Sequence, residues 1–398
     1  MRAAHNDASN DRAKMYENHS LDINSTRSMR ILPPESTDGS DIISCRLGVV
    51  SLDESPKYRA PSYVWGDPSV TKPILVDDTT VQVRMNLWTF LDQMRNEQYW
   101  DALWIDALCI NEDDLEERSE QVSIMGPIYT KATGVRAWLG PGTEIYVLAM
   151  HGLADTEWPK NDQIQDDQVR EDEVITFFEQ PLATDEFFAP IIDLLNNEYW
   201  SRIWIVQEYC LAADLVVQCG TIIVPSVILD CLYRMAYHVG LQPKSKKFER
   251  IWKNVTKAKL LSDSMGDLGV SPGCSVISMR STDTRHFPHR ADAGDTGRLF
   301  GVLQDSKCTD PRDFVYALLS LSAFLSAEIV SDYTKPVLQL FLNVTDMFKV
   351  AEIESWEWEN IFDAVNALRE GLQLDHECAE VQEVLEYFHK AVSDHAND

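Results

Sequence analysis

The chain has 398 residues, 44% hydrophobic and 25% charged, enough for one large domain or two average ones around a sizeable core. Lys and Arg number 35 against 64 Asp and Glu; the net charge of −29 excludes a general binder of nucleic acid or anionic membrane, because phosphate neutralisation needs clustered cations. No stretch approaches the ~18 uninterrupted apolar residues of a membrane span, residues 1–30 hold no apolar signal region, and the eight cysteines are scattered without a CxxC pair, so a reduced, cytoplasmic protein is expected.

Residues 1–28, rich in Asn, Asp, Ser and Arg, read as a disordered lead-in, and order is expected from a short strand over Met29, Arg30, Ile31 and Leu32. Tyr63-Val64-Trp65 reads as a second strand, closed by the turn signal Gly66-Asp67-Pro68. Ile74-Leu75-Val76 and Val81-Gln82-Val83, joined through Asp77-Asp78, form a hairpin. Leu87, Phe90, Leu91 and Met94 then fall at helical spacing over residues 86–95. Residues 103–110 are apolar except for one acid, which suits a strand buried on both faces; a buried helical turn is the competing reading. Leu115, Val122, Met125, Tyr129 and Ala132 make one helical stripe, with a kink expected at Gly126-Pro127. Residues 135–139 are another strand, stopped by Gly140-Pro141-Gly142. Residues 155–185 are acidic and read as an exposed insertion. Helical spacing resumes at 191–195 and through Trp200, Ile203, Trp204, Gln207 and Leu211, followed by a hairpin over 216–219 and 222–224. The remainder is mostly helical: Asp310-Pro311-Arg312-Asp313 is a helix start, and Val381, Val384, Leu385, Phe388 and Val392 mark a closing amphipathic helix. The strand–helix–strand rhythm predicts an α/β layer architecture over residues 29–220, with a mainly helical region over 221–398 that completes or flanks it.

GxxxxGK[ST], GxSxG and HExxH are all absent. His286 and His289 lack the paired spacing of a zinc site, and no metal is expected. Lys244, Lys246, Lys247 and Arg250 read as a solvated loop. Ionisable groups do stand inside apolar runs, where desolvation is costly without a partner. Asp106 lies within Leu103-Trp104-Ile105-Asp106-Ala107-Leu108-Cys109-Ile110, and Arg202 and Glu208 flank Ile203-Trp204-Ile205-Val206. Either Arg202 or Arg118 pairs with an acid in a structural network, or a cleft holds a carboxylate of shifted pKa.

These same stretches resemble the fungal heterokaryon-incompatibility (HET) family. Tyr63-Val64-Trp65-Gly66 is similar to its opening block, and Leu103 to Asn111, with Trp104 and Asp106, to its central signature. Glu117-Arg118, Gln121-Val122 and Trp138-Leu139-Gly140 follow the family's pattern, as does Tyr199-Trp200-Ser201-Arg202-Ile203-Trp204-Ile205-Val206-Gln207-Glu208. Thr309-Asp310-Pro311-Arg312-Asp313 and Asp332-Tyr333 resemble the segment that commonly follows. Pro61, Glu112 and Gly126-Pro127 depart from the pattern. The resemblance implies an effector of fungal non-self recognition that triggers programmed cell death. A more distant similarity of HET to TIR domains implies a flavodoxin-like, mostly parallel sheet, and some TIR domains cleave NAD with a glutamate. Ser201, Trp204 and Glu208 match the pattern around that glutamate, which makes NAD a substrate rather than a cofactor. On this reading Glu208 is catalytic, with Trp65, Asp106 and Trp204 lining the cleft. On the other, the chain is a non-enzymatic module acting through protein partners or self-assembly, and Asp106, Arg202 and Glu208 are structural.

Overall fold

The computed structural model describes residues 14–34, 42–156, 190–232 except 192, 276, 277, 279, 292–351 and 358–395. The acidic insertion from residue 157 onward, the Lys244–Arg250 cluster and the His286/His289 pair lie outside the described residues. The chain divides into two compact units, one of residues 1–112, 127–200 and 212–281 and the other of 113–126, 201–211 and 282–398.

The first unit is built on strands. β1 (Ser25–Ile31), β2 (Ser44–Ser51), β4 (Thr71–Val76) and β5 (Thr79–Arg84) form one four-stranded sheet in the order β1-β2-β4-β5. β3 (Arg59–Tyr63), β6 (Gly134–Trp138), β7 (Leu215–Cys219) and β8 (Ile222–Pro225) form another, in the order β3-β6-β7-β8. The β4–β5 turn is Asp77-Asp78, as expected, and both residues have positive φ, 46° and 67°, which matches the twist of a tight hairpin.

Leu103 joins the two sheets. It pairs antiparallel with Met29 of β1 and parallel with Arg59 of β3. Its N–H donates to the Met29 carbonyl at 2.7 Å, and Trp104 N–H to the Arg59 carbonyl at 2.8 Å. The apolar run therefore combines both sequence readings. A pairing segment ends near Trp104, and the strand expected through Ile110 is replaced by a helical turn, α2 (Asp106–Cys109). Its predecessor α1 (Met85–Asn96) buries Leu87, Phe90, Leu91 and Met94 on one face, each contributing about 2 kcal/mol.

The Leu103 segment, β3, β6 and β7 run parallel. Their chain order across the sheet is second, first, third, fourth, the order of a flavodoxin-like doubly wound sheet. β8 closes the edge antiparallel. The order in which the chain adds strands reverses between β3 and β6, and such switch points are where open α/β sheets take ligands.

The polar lead-in is shorter than its composition predicts. β1 starts at Ser25, and Met15 and Tyr16 are buried in the core of this unit. Tyr16 donates its hydroxyl to the Ile110 carbonyl, and Arg27, 1% exposed, donates to the His19 and Cys109 carbonyls. Trp104 Nε1 donates to Thr26 Oγ1. Polar residues can be core residues when every donor finds an acceptor, and composition alone does not reveal that.

α3 (Leu115–Ser123) opens the second unit, capped by Asp114, which accepts from the N–H groups of Glu116 and Glu117. It ends at Ile124, and α4 (Met125–Lys131) begins at once, so the break falls just before Gly126-Pro127. Pro127 sits in the first turn, where its missing N–H has no intrahelical acceptor to lose. α5 (Glu144–Asp155) follows β6 in the first unit. The second unit continues with α6 (Ile205–Cys210), α7 (Ala293–Leu303), α8 (Asp313–Tyr316), α9 (Ala323–Ser326), α10 (Val337–Val350), α11 (Trp358–Gly371) and α12 (Ala379–His395). α11 packs against both α7 and α12. Among the described residues no helix is long and apolar enough to cross a membrane.

Candidate functional site

At the switch point of the first unit lies a cleft of about 420 Å³, lined by residues following β3 (Val64, Gly66, Asp67), following β6 (Leu139, Gly140, Pro141) and from the start of α1. A neighbouring cleft of about 390 Å³ shares Thr89 and Pro141 with it and extends to Cys219 and Gly220 after β7. Both therefore open at the carboxyl ends of the parallel strands. Gly66 (φ 76°) and Gly140 (φ 102°) turn the chain away from the sheet in the left-handed region, where a Cβ is strained.

Asp106 fixes the wall of this cleft. Its carboxylate accepts from Tyr63 Oη at 2.9 Å, Trp65 Nε1 at 2.7 Å and the Ala107 N–H at 2.7 Å. The acid inside the apolar run is thus the anchor for the Tyr63-Val64-Trp65-Gly66 block. Two further side chains pin the same loop. Asn86 Nδ2 donates to the Val64 carbonyl at 2.6 Å while its Oδ1 accepts from Trp138 Nε1 at 3.1 Å, and Arg84 donates to the Gly66 carbonyl at 2.9 Å. The Arg84 guanidinium also lies 5.1 Å from the Trp65 ring centroid. Asn86 and Arg84 carry no motif in the sequence and were not among the expected site residues; nor were Asn197 and Glu198, which line the cleft.

The second unit holds the other candidates. Glu208 is 1% exposed, and both of its carboxylate oxygens meet Arg202, Oε2 with Nη1 at 3.1 Å and Oε1 with Nη2 at 3.3 Å. The expected helical relation between Trp204 and Glu208 is present in the backbone, where Glu208 N–H donates to the Trp204 carbonyl. The Trp204 side chain, however, acts on Asp313, whose carboxyl it helps to lower.

Asp313 belongs to a charge cluster that gathers all three chain segments of this unit. Arg118 from α3 lies 3.9 Å from both Asp310 Oδ2 and Asp313 Oδ1, and its guanidinium stacks 3.7 Å from the centroid of Tyr333. Arg312 forks onto Asp310 with two 2.8 Å bonds and also donates to the Tyr333 and Lys335 carbonyls. Tyr333 Oη donates to Asp313 Oδ1 at 2.5 Å. Burial pushes the Asp313 carboxyl up to about 6, against the lowering effects of Tyr333 and Arg118. Asp310 is also opposed by burial, but the Arg312 hydrogen bonds and charge hold it below the usual carboxylate range. Tyr333 is raised, first by burial and then by the Asp313 charge.

Of the expected cleft residues, Trp65 and Asp106 belong to the first unit and bond to each other, whereas Trp204 and Glu208 belong to the second and take different side-chain partners. Trp104 and Trp138 are buried supports of the first unit, and Gln121, 3% exposed, is buried on α3. Asn111 follows α2, half-buried. Pro311 leads into α8 two residues before its first helical residue. Among the described residues no cluster of His, Cys, Asp or Glu is arranged to hold a metal ion.

Residues 58–208 match the model of the heterokaryon incompatibility protein (HET) family. The chain carries a HET domain. The match begins at Tyr58, before β3, and ends on Glu208, so it takes in the switch-point cleft and the Arg202–Glu208 pair. Heterokaryon incompatibility protein 6, OR allele, of Neurospora crassa is 28% identical over 231 residues, which cover 48% of this chain and 33% of that protein. The matched part of the chain thus spans about a third of the length of this HET relative. No solved structure matches the chain.

Proposed function

We propose that this chain acts in fungal non-self recognition, in the cytoplasm, as an effector of the cell-death reaction that follows heterokaryon formation. Its HET domain works there by engaging protein partners or further copies of itself. The HET match and the similarity to a protein named for heterokaryon incompatibility support the first part. The second rests on one observation: Glu208 is 1% exposed and forked onto Arg202. A carboxylate that stabilises an oxocarbenium-like transition state has to face the ribose. A buried carboxylate satisfied by a guanidinium is better suited to fixing a chain segment.

NAD cleavage is the second reading, favoured by the one-turn spacing of Trp204 and Glu208. The test is nicotinamide release by the purified chain at high concentration, beside Glu208→Gln, with self-association measured in the same samples. The expected outcome is no release above background in either protein, together with concentration-dependent assembly. Release by the wild type that Glu208→Gln abolishes, with folding intact, would overturn the interaction reading.

A further inference from the structure

We propose, resting on the self-association inferred above, that two copies of this chain pair antiparallel through the open edge of β5, across a twofold axis. β5 ends the sheet order β1-β2-β4-β5, and among the described residues no strand or bridge lies beyond it. An edge strand presents a row of unpaired N–H and C=O groups, which is a template for another strand. β4 and β5 pair residue for residue from Val76–Thr79 to Thr71–Arg84, with no bulge. In such a ladder alternate residues turn both backbone groups towards the partner strand, and the others turn them away. Leu75 donates its N–H to the Ile43 carbonyl, away from β5, so Thr80 opposite it faces away from β4. Pro73, which has no N–H, stands opposite Gln82, the next residue of that set. Thr80 and Gln82 therefore direct their backbone groups off the edge, and both residues are exposed. Nothing along residues 79–83 blocks pairing: they hold no Lys, no Pro and no bulge. β8, at the other end of the strand order, is four residues long and ends on Pro225.

A second copy fits this edge because the strand complements itself. Outward-facing residues must meet outward-facing ones, and a twofold axis normal to the sheet keeps the same faces of both copies aligned. Setting Thr80 opposite Gln82 meets both conditions twice and brings Val81 to Val81 on the buried face. The exposed polar side chains then meet on the other face. Residues 79–83 carry no charge in a chain of net charge −29, so this part of the contact holds no like-charge pair. Antiparallel pairing also keeps the two acidic Asp77-Asp78 turns at opposite ends, about 20 Å apart, where parallel pairing would set them side by side. Arg84, opposite Asp78 in this register, is already engaged with the Gly66 carbonyl and acts on Asp67. The backbone ladder, and not an ion pair, therefore holds the copies together. Strands of this length bury less than the ~1,000 Å² of a stable interface, so association is weak and concentration-dependent.

The test is sedimentation velocity of the full chain up to about 0.5 mM, with backbone hydrogen exchange of β5 followed at each concentration. Wild type should dimerise, and exchange at Thr80 and Gln82 should slow as it does. One variant carries Thr80→Lys with Gln82→Lys and another Thr80→Glu with Gln82→Glu, all at exposed positions. Each alone should dimerise about tenfold more weakly than wild type, and the two mixed should recover a heterodimer, because Lys then stands opposite Glu. Gln82→Pro, which removes an outward N–H, should also block pairing. If all three variants assemble like wild type, self-association stands but uses another surface, and this proposal is overturned. Loss of assembly in the variants without recovery in the mixture overturns the Thr80–Gln82 pairing. A wild type that stays monomeric throughout overturns both this proposal and self-assembly, and leaves the edge to a strand of another chain.

Discussion

Removing the charge of Glu208 distinguishes a structural carboxylate from a catalytic one. In Glu208→Gln the Arg202 guanidinium loses the Glu208 charge while the side-chain shape is kept. Breaking a buried pair by deleting one partner costs about 3–5 kcal/mol, because the remaining charge is left uncompensated. Two features of this pair reduce that figure. Arg202 is 16% exposed in its side chain and can recover some hydration, and the glutamine oxygen still accepts one of the two bonds seen at 3.1 and 3.3 Å. A loss of about 2–4 kcal/mol is expected for the second unit. Arg202→Met combined with Glu208→Met removes both charges together and should fall within about 1 kcal/mol of wild type, or above it, since apolar replacement of a whole buried pair is often neutral or stabilising. The assay is urea unfolding by circular dichroism and tryptophan fluorescence of these variants and of the single Arg202→Met and Glu208→Met replacements, which close the double-mutant cycle, with the coupling energy as the readout. Trp204 lies in the same unit and reports on it. If Glu208→Gln keeps wild-type stability within about 0.5 kcal/mol and abolishes nicotinamide release seen with the wild type, the structural assignment is wrong and Glu208 acts chemically.

Two further predictions follow from the site geometry. Burial raises the Asp313 carboxyl from its ordinary 3.8 to about 6, so the folded second unit binds this proton more tightly than the unfolded chain does. Its ionised form opposes folding by up to about 3 kcal/mol above pH 6, and that penalty is relieved as pH falls from 7 towards 4. Asp310 is shifted the other way and contributes stability that is lost as pH falls through its lowered folded value. The difference in unfolding free energy between wild type and Asp313→Asn should therefore change sharply between pH 7 and 5; a pH-independent difference refutes the assignment. In the first unit, Asp106→Ala removes the acceptor shared by Tyr63, 2% exposed, and Trp65. It should cost about 2–4 kcal/mol in urea unfolding, with Asp106→Asn losing about half as much because one acceptor oxygen remains. Equal stability of the alanine variant and wild type would show that the loop after β3 is held by other contacts.

The elements that repeat a local pattern were legible in the sequence. Leu87, Phe90, Leu91 and Met94 announce α1 because one helix face alone buries them, and Val81 and Val83 announce β5 because alternate residues point to the core. Residues 103–110 show where pattern reading stops. A continuous apolar run records burial and not backbone geometry, and here it contains both a sheet bridge and a helical turn. The lead-in failed for the opposite reason: Thr26 and Arg27 look like solvent-exposed residues until the Trp104 indole and the Cys109 carbonyl are found beside them.

The site was half legible for a related reason. Asp106 attracted notice as a lone charge in an apolar run, and the structure explains that oddity by three donors converging on it. The cleft that this arrangement supports had no comparable signal. It exists because β3 and β6 are neighbours in space while the Leu103 segment, between them in the chain, lies on the far side of β3. Strand order is a property of pairing over long sequence separations, and neither residue type nor spacing encodes it locally. Asn86 and Glu198 are ordinary polar residues in the sequence, and only that crossing of the chain brings them to one opening. A charge inside an apolar run therefore locates the support of a site more reliably than the site itself, because the support requires a charge among apolar neighbours, as at half-buried Asp106, and the opening does not.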